Sequence, residues 1–185
     1  GTTGETSGGC DPDAVLDAVS FNYVKTVDVG VEGVTAGYYN VAANELVFLA
    51  ASGEGVRLQL DGTMIGAVEA PAAVSGGLDG AVYVPGEDVA LLLDEDCNRA
   101  EVDPVTLAEI SVEAIDVVEF DVSQCSGIAL GPGGDLYVAS LGTDEVVVIS
   151  RDLTDEVDRF DVANKGISVI DGISRIAGSE NFLIV

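Results

Sequence analysis

The sequence of 185 residues predicts an all-β fold, and three observations support this prediction. The chain is rich in valine and contains 23 glycines but few long helix formers, a composition that favours strands and turns. Short apolar runs recur at a nearly constant spacing along the chain. Polar turns of hairpin length separate these runs.

The recurring element is an apolar run that follows a polar turn and an acidic or amide residue. Four such runs occupy residues 44–49, 87–92, 134–139 and 180–185. A second run follows the first three, at residues 56–60, 99–103 and 146–150. Both sets repeat with the same offsets, 43 and then 47 residues. Two independent strand signals in one register indicate a genuine repeat.

Each unit contains two more predicted strands. A strand of small residues precedes the first run, at residues 33–39, 77–84 and 127–130. An alternating strand ends the unit, at residues 64–70, 107–114 and 157–162. Four strands in roughly 45 residues are typical of one blade of a β-propeller, and small residues suit its crowded innermost strand. The sequence therefore predicts a β-propeller of four-stranded antiparallel blades.

The blade pattern also predicts the organisation of the chain. Residues 1–20 are expected to form a flexible N-terminal spacer, and residues 21–185 to form the blades of an incomplete ring. Residues 23–29 have the pattern of an outermost strand. The units add up to about three and a half blades, so we expect residues outside this chain, or a neighbouring chain, to complete the propeller. A closed four-bladed ring is the alternative.

One repeat resembles a known family. Residues 127–150, with the sequence GIALGPGGDLYVASLGTDEVVVIS, resemble the YVTN-type β-propeller repeat of bacterial and archaeal surface proteins. They are similar, less closely, to NHL and lactonase-like propellers. The second unit departs from the pattern at residues 94–98, and the first lacks the Gly-Pro-Gly entry. The resemblance implies a seven-bladed ring outside the cytoplasm, but no particular activity.

Charge and composition exclude several functions. The 33 acidic and 7 basic residues give a formal net charge of −26, which repels nucleic acid and anionic lipid. No apolar run is long enough to predict membrane insertion. The chain has no histidine, which removes Ser-His-Asp and Cys-His catalysis and most zinc sites. A protein or a glycan remains a possible partner.

The three cysteines bear on the cellular compartment. Cys97 and Cys125 fall at strand ends of neighbouring repeats, so we expect them to form a disulfide, with two buried free thiols as the alternative. Cys10 lies in the predicted spacer, which is typical of a segment that follows a removed export or lipoprotein signal. Together these features predict an extracytoplasmic protein that is secreted, periplasmic or surface-anchored.

One segment suggests a metal, and calcium is the cofactor considered. Asp94, Asp96 and Asn98 alternate as at the start of a calcium loop. However, Arg99 stands where that loop needs glycine, and Val105 where it needs a bidentate glutamate. A solvated acidic hairpin turn is the alternative interpretation. The tyrosines of the predicted inner strands either pack between blades or form a rim that stacks on a ligand.

These observations favour a non-enzymatic extracytoplasmic β-propeller that acts as a binding or scaffold module at the cell surface. One alternative is a metal-dependent, lactonase-like hydrolase with an axial carboxylate site. Another is a structural subunit of an extracellular assembly that a neighbouring chain completes.

Overall fold

The computed structural model describes residue 26 and residues 28–167, 169–176 and 179–185, and these residues form three four-stranded antiparallel sheets and one two-stranded sheet. The predicted spacer, residues 1–20, lies outside the described residues, as do most of residues 23–29. In the described part of the chain no helix is long and apolar enough to cross a membrane.

The strands follow one another in order within each sheet. Blade 1 contains β1 (Val34–Asn40), β2 (Glu45–Ala50), β3 (Glu54–Gln59) and β4 (Met64–Glu69). Blade 2 contains β5 (Leu78–Val84), β6 (Val89–Asp94), β7 (Asn98–Val102) and β8 (Glu109–Ala114). Blade 3 contains β9 (Cys125–Leu130), β10 (Leu136–Ser140), β11 (Glu145–Ile149) and β12 (Glu156–Asp161). A 3₁₀ turn (Ala163–Lys165) then leads to the hairpin of β13 (Ile173–Arg175) and β14 (Phe182–Ile184).

This arrangement confirms the predicted all-β fold of four-stranded antiparallel propeller blades. Three blades and the first two strands of a fourth unit are present among the described residues. The strand β8 begins at Glu109, two residues later than predicted. The reason is that Leu107 is a buried turn residue with a φ of 58°, and its amide donates to the carbonyl of Asp103.

The second strand of blade 2 shows how the core is built. All six residues of β6 are buried, because both faces of the strand are covered. Leu91 and Leu93 pack towards blade 3, whereas Ala90 and Leu92 pack towards blade 1. A strand covered on both faces has a continuous apolar run instead of alternation. The runs that marked the repeat are therefore the central strands of the blades.

The innermost strands lie side by side and require small residues. A Cβ atom at Gly80 would lie 2.9 Å from the backbone nitrogen of Ile128 in the next blade. A Cβ at Gly127 would lie equally close to the nitrogen of Ile173. Since real Cβ atoms do not approach backbone atoms so closely, glycine at these positions sets the spacing between blades.

Candidate functional site: the axial groove

The four innermost strands line a groove, which we call the axial groove. One part of it, about 200 Å³, lies at the N-terminal ends of the strands, and a second part, about 380 Å³, extends to their C-terminal ends. The two parts share five lining residues: Gly37, Ala81, Ile128, Ile173 and Ser174. The groove is therefore continuous along the inner strands and has small or apolar walls in its middle.

A β-bulge recurs at the N-terminal end of the inner strands of blades 1, 2 and 3. The pairing register shifts between Val34 and Ala36 in β1 and between Leu78 and Gly80 in β5. In β9 the register skips from Cys125 to Gly127. The extra residues are Thr35, Asp79 and Ser126. A bulge redirects the side chain of its extra residue, and bulges are common next to functional sites.

In two blades the bulged residue is a hydroxyl that bonds to the next blade. Thr35 Oγ1 donates to the main-chain carbonyl of Leu78 in blade 2. Ser126 Oγ donates to the carbonyl of Ile170, before β13, at 2.5 Å. Leu78 and Ile170 hold the same place in the repeat. The hydroxyl at this position therefore ties one blade to the next.

Blade 2 carries a carboxylate at this position. Asp79 lines the groove together with Asp171, which precedes Gly172 as Asp79 precedes Gly80. Partial burial raises the pKa of the Asp79 carboxyl, and the negative charges of Glu95, Asp171 and Asp94 raise it further. An ionised carboxylate cannot donate a hydrogen bond. The N-terminal end of the groove is therefore acidic, and an ionised Asp79 cannot make the inter-blade hydrogen bond that Thr35 and Ser126 make.

The C-terminal end of the groove has a different chemistry. The groove is lined at this end by the residues three positions after the small residue of each inner strand, which is Ala36, Gly80, Gly127 or Gly172. These lining residues are Tyr39, Tyr83, Leu130 and Arg175. The hydroxyl of Tyr39 donates to Asn44 Oδ1 at 2.6 Å, and the residue is 40% exposed. This end is therefore aromatic and apolar, with a single guanidinium.

Arg175 differs from the other described arginines. Arg57, Arg99, Arg151 and Arg159 each form an ion pair with a glutamate. Arg175 Nε instead donates to the carbonyl of Ser179 at 3.0 Å, and among the described residues no carboxylate forms an ion pair with Arg175. The axial groove thus has carboxylates at one end and the guanidinium of Arg175 at the other.

The predicted calcium ligands lie in the turn between β6 and β7. Asp94 is buried, and its two carboxylate oxygens accept hydrogen bonds from the backbone nitrogen of Asn98 at 2.7 Å and from Asn98 Nδ2 at 2.9 Å. Asp96 is exposed on the turn. No group of three or more His, Cys, Asp or Glu side chains in the described ranges is arranged to hold a metal ion. Calcium binding by Asp94, Asp96 and Asn98 remains a prediction.

The cysteine pair predicted from the repeat is joined in the structure. Cys97, in the β6–β7 turn of blade 2, forms a disulfide with Cys125, the first residue of β9 in blade 3. Their Cα atoms are 5.2 Å apart, and both residues are buried in the core between these blades. The disulfide therefore links two blades close to the acidic end of the groove.

The tyrosines divide between the two predicted roles. Tyr38 is buried and donates to the carbonyl of Pro104 in blade 2 at 2.9 Å. Burial raises its pKa, and Asp103 adds to this effect. Tyr137 stacks on Phe182 of the fourth unit, with ring centroids 4.2 Å apart. Tyr38 and Tyr137 therefore pack between blades, whereas Tyr39 forms part of the groove rim.

Three groove residues were not predicted from the sequence: Asp79, Asp171 and Arg175. The sequence carries a signal that would have found them, because each stands at a fixed offset from the small residue of its inner strand. Aligning the units on Ala36, Gly80, Gly127 and Gly172 places residues of different chemistry in equivalent positions.

Several solved structures are similar to this chain. Glutaminyl cyclase of Myxococcus xanthus matches with a TM-score of 0.65 and 12% identity, over 80% of this chain and 66% of that one. Kuenenia stuttgartiensis hydrazine synthase matches with a TM-score of 0.54 and 16% identity, over 90% and 48%. The β-propeller domain of Cps50 (Swd1) from Myceliophteria thermophila matches with a TM-score of 0.50 and 15% identity, over 76% and 46%.

These similarities establish the propeller-type fold and nothing finer, since the identities are low. The chain spans between about half and two thirds of the length of these structures. No protein-family model matches the sequence, and no curated protein matches it significantly. The resemblance to YVTN and NHL repeats therefore remains a prediction.

Proposed function

We propose that this protein is a non-enzymatic, extracytoplasmic β-propeller that binds a protein or glycan ligand in its axial groove. The observation that carries the proposal is the groove itself, with small and apolar walls between an acidic end and Arg175. Binding sites in proteins are typically concave and mostly apolar, with a few placed polar groups that fix orientation.

The arrangement of charge supports the groove as the binding surface. The other described arginines are engaged with glutamates, so their charge serves the contacts within and between blades. The remaining surface is dominated by carboxylates, which favour hydration and repel anionic partners. A groove that combines both signs of charge with exposed aromatic surface has the features needed for selective recognition.

The binding role can be tested with one obstructing variant. Ser174 is exposed and lines both parts of the groove, so Ser174→Trp fills it without disturbing the core. The matched control is Val112→Trp, at a position 38% exposed on the outer strand β8. We expect arrays of peptides and glycans to contain ligands that bind the wild type and the control but not Ser174→Trp. Equal binding by all three proteins would contradict a role for the groove.

The extracytoplasmic location is supported by the disulfide, since such bonds persist mainly in oxidising compartments. The test is to trap free thiols with an alkylating reagent in intact cells of the source organism. We expect Cys97 and Cys125 to resist alkylation until the protein is denatured and reduced. Alkylation of both residues after denaturation alone would contradict export to an oxidising compartment.

A hydrolase is the second candidate, because Asp79 provides a carboxyl of raised pKa inside the groove. Its lactonase-like form would require a metal held by carboxylate and amide oxygens. A panel of lactones, assayed with and without added divalent cations, tests this candidate. Turnover that disappears in Asp79→Asn would favour the enzyme, whereas no turnover by the wild type would favour the binding module.

A further inference from the structure

We propose that the axial groove binds a short peptide in an extended conformation, with its ammonium group at Asp79 and Asp171 and its carboxylate at Arg175. This inference rests on the proposed binding function and specifies its ligand class. It follows from three properties of the groove: the signs of charge at its ends, the distance between those ends and the nature of its walls.

The charges favour a ligand that carries both signs. A simple anion would meet Arg175 but would be repelled by a protein of net charge −26 and by the carboxylates in the same groove. A simple cation would satisfy Asp79 and Asp171 but would leave Arg175 facing a positive ligand or an unfilled cavity. A zwitterion is neutral overall and places each charge next to its opposite.

The length of the groove sets the length of the ligand. Arg175 ends β13, and Asp171 lies two residues before the start of that strand, so the two are four residues apart, which corresponds to about 13 Å for extended backbone. The same number of residues separates Asp79 from Tyr83, which are the second and sixth residues of β5. An extended peptide advances by about 3.3–3.6 Å per residue. Its two termini therefore match these ends when the peptide has about four residues.

The walls leave room for a peptide backbone. Gly37, Ala81 and Ile128 line the middle of the groove, and two of them have minimal side chains. At the C-terminal end the exposed ring of Tyr39 offers a flat surface for the last side chain of the ligand. These features place little restriction on the side chains of the peptide, so its terminal charges determine recognition.

The repeat supplies conservative variants for the test. Asp79→Ser introduces the residue type found at the equivalent position of blade 3, and Arg175→Leu introduces the residue that blade 3 has at Leu130. Each variant therefore carries a side chain that this fold already accommodates at the same repeat position. Circular dichroism and thermal melting establish that both variants are folded before binding is measured.

The probes are tetra-alanine with free termini and its N-acetylated, C-amidated and doubly blocked forms, titrated calorimetrically into the protein. We expect the free peptide to bind at least tenfold more tightly than either singly blocked form, and the doubly blocked form not to bind. Asp79→Ser should lower the affinity for the free peptide at least fivefold and leave the affinity for the N-acetylated peptide unchanged. Arg175→Leu should lower the affinity for the free peptide by a similar factor and leave the affinity for the C-amidated peptide unchanged.

Equal affinity for the four peptides, or an undiminished affinity in both variants, would overturn the proposal. Spermidine binding as tightly as the free peptide would also overturn it, because the site would then recognise cations alone. If Ser174→Trp abolishes the binding of array ligands but tetra-alanine does not bind the wild type, the peptide proposal is refuted and the binding function of the groove is retained. Array ligands unaffected by Ser174→Trp would refute the groove altogether.

Discussion

The buried guanidinium of Arg99 on β7 donates a hydrogen bond of 2.8 Å from Nη1 to the main-chain carbonyl of Arg151 in blade 3. Its Nη2 bonds to Glu113 on the neighbouring strand β8. Arg151 in turn contacts Glu87 at 2.9 Å and Glu101 at 3.1 Å, both in blade 2. Two arginines thus connect blades 2 and 3.

Removal of Arg99 should destabilise the protein. The side chain is only 4% exposed, so Arg99→Ala leaves a cavity and deprives the Arg151 carbonyl of its donor. We expect the free energy of unfolding in urea to fall by about 2–3 kcal/mol. The control is Arg57→Ala, which removes a more exposed pair with Glu45 and should cost about 1 kcal/mol or less. An equal loss of unfolding free energy in the two variants would show that the burial of Arg99 adds nothing to stability.

The close approach of the inner strands leads to a second prediction. A Cβ at Gly127 would lie 2.9 Å from the nitrogen of Ile173 and 3.0 Å from the Cα of Gly172, and neither backbone atom moves easily. Gly127→Ala should therefore lower the free energy of unfolding by about 1–3 kcal/mol. Gly66→Ala on β4 is the matched control, because nothing lies within 4 Å of its Cβ. Chemical denaturation of both variants provides the measurement, and an unchanged midpoint for Gly127→Ala would refute the spacing argument.

The blades could be predicted from sequence because their signals are local. The buried run of β6 and the turns around it identify a strand covered on both faces without knowledge of its neighbours. The axial groove could not be predicted from such local signals, because it forms where equivalent positions of successive inner strands come together. Asp94 illustrates the limit: the sequence shows its spacing from Asn98, but only the structure shows that the Asn98 side chain donates a hydrogen bond of 2.9 Å to the Asp94 carboxylate.

The disulfide provides a third prediction. Cys97 and Cys125 are separated by 28 residues, and closing a loop of this length is expected to stabilise the fold by about 3.5 kcal/mol. The double variant Cys97→Ala/Cys125→Ala should therefore melt several degrees below the wild type. Prolonged reduction under partly denaturing conditions should lower the melting temperature of the wild type and leave the double variant unchanged. An identical response of the two proteins to reductant would contradict the assignment.

The acidic end of the groove yields the prediction that joins stability to function. Thr35 and Ser126 donate hydrogen bonds to the next blade, and Asp79 occupies the equivalent place with a carboxyl of raised pKa. A group whose pKa is raised by folding supports the folded state at low pH. That support is lost as the pH rises from the ordinary aspartate value of 3.8 through the pKa of the folded protein.

Asp79→Ser should consequently melt at a higher temperature than the wild type at neutral pH, because it restores a donor worth about 0.5–1.5 kcal/mol and removes a repelled charge. The difference should shrink as the pH is lowered towards 3.8, where the wild-type carboxyl regains its proton. Ser126→Ala is the opposing control and should be less stable than the wild type at every pH. Thermal melts of the three proteins between about pH 3.5 and pH 8 provide the test. If Asp79→Ser is more stable than the wild type and no longer binds the peptide, Asp79 serves binding at the expense of stability. If Asp79→Ser is less stable than the wild type, the bulge positions are not equivalent.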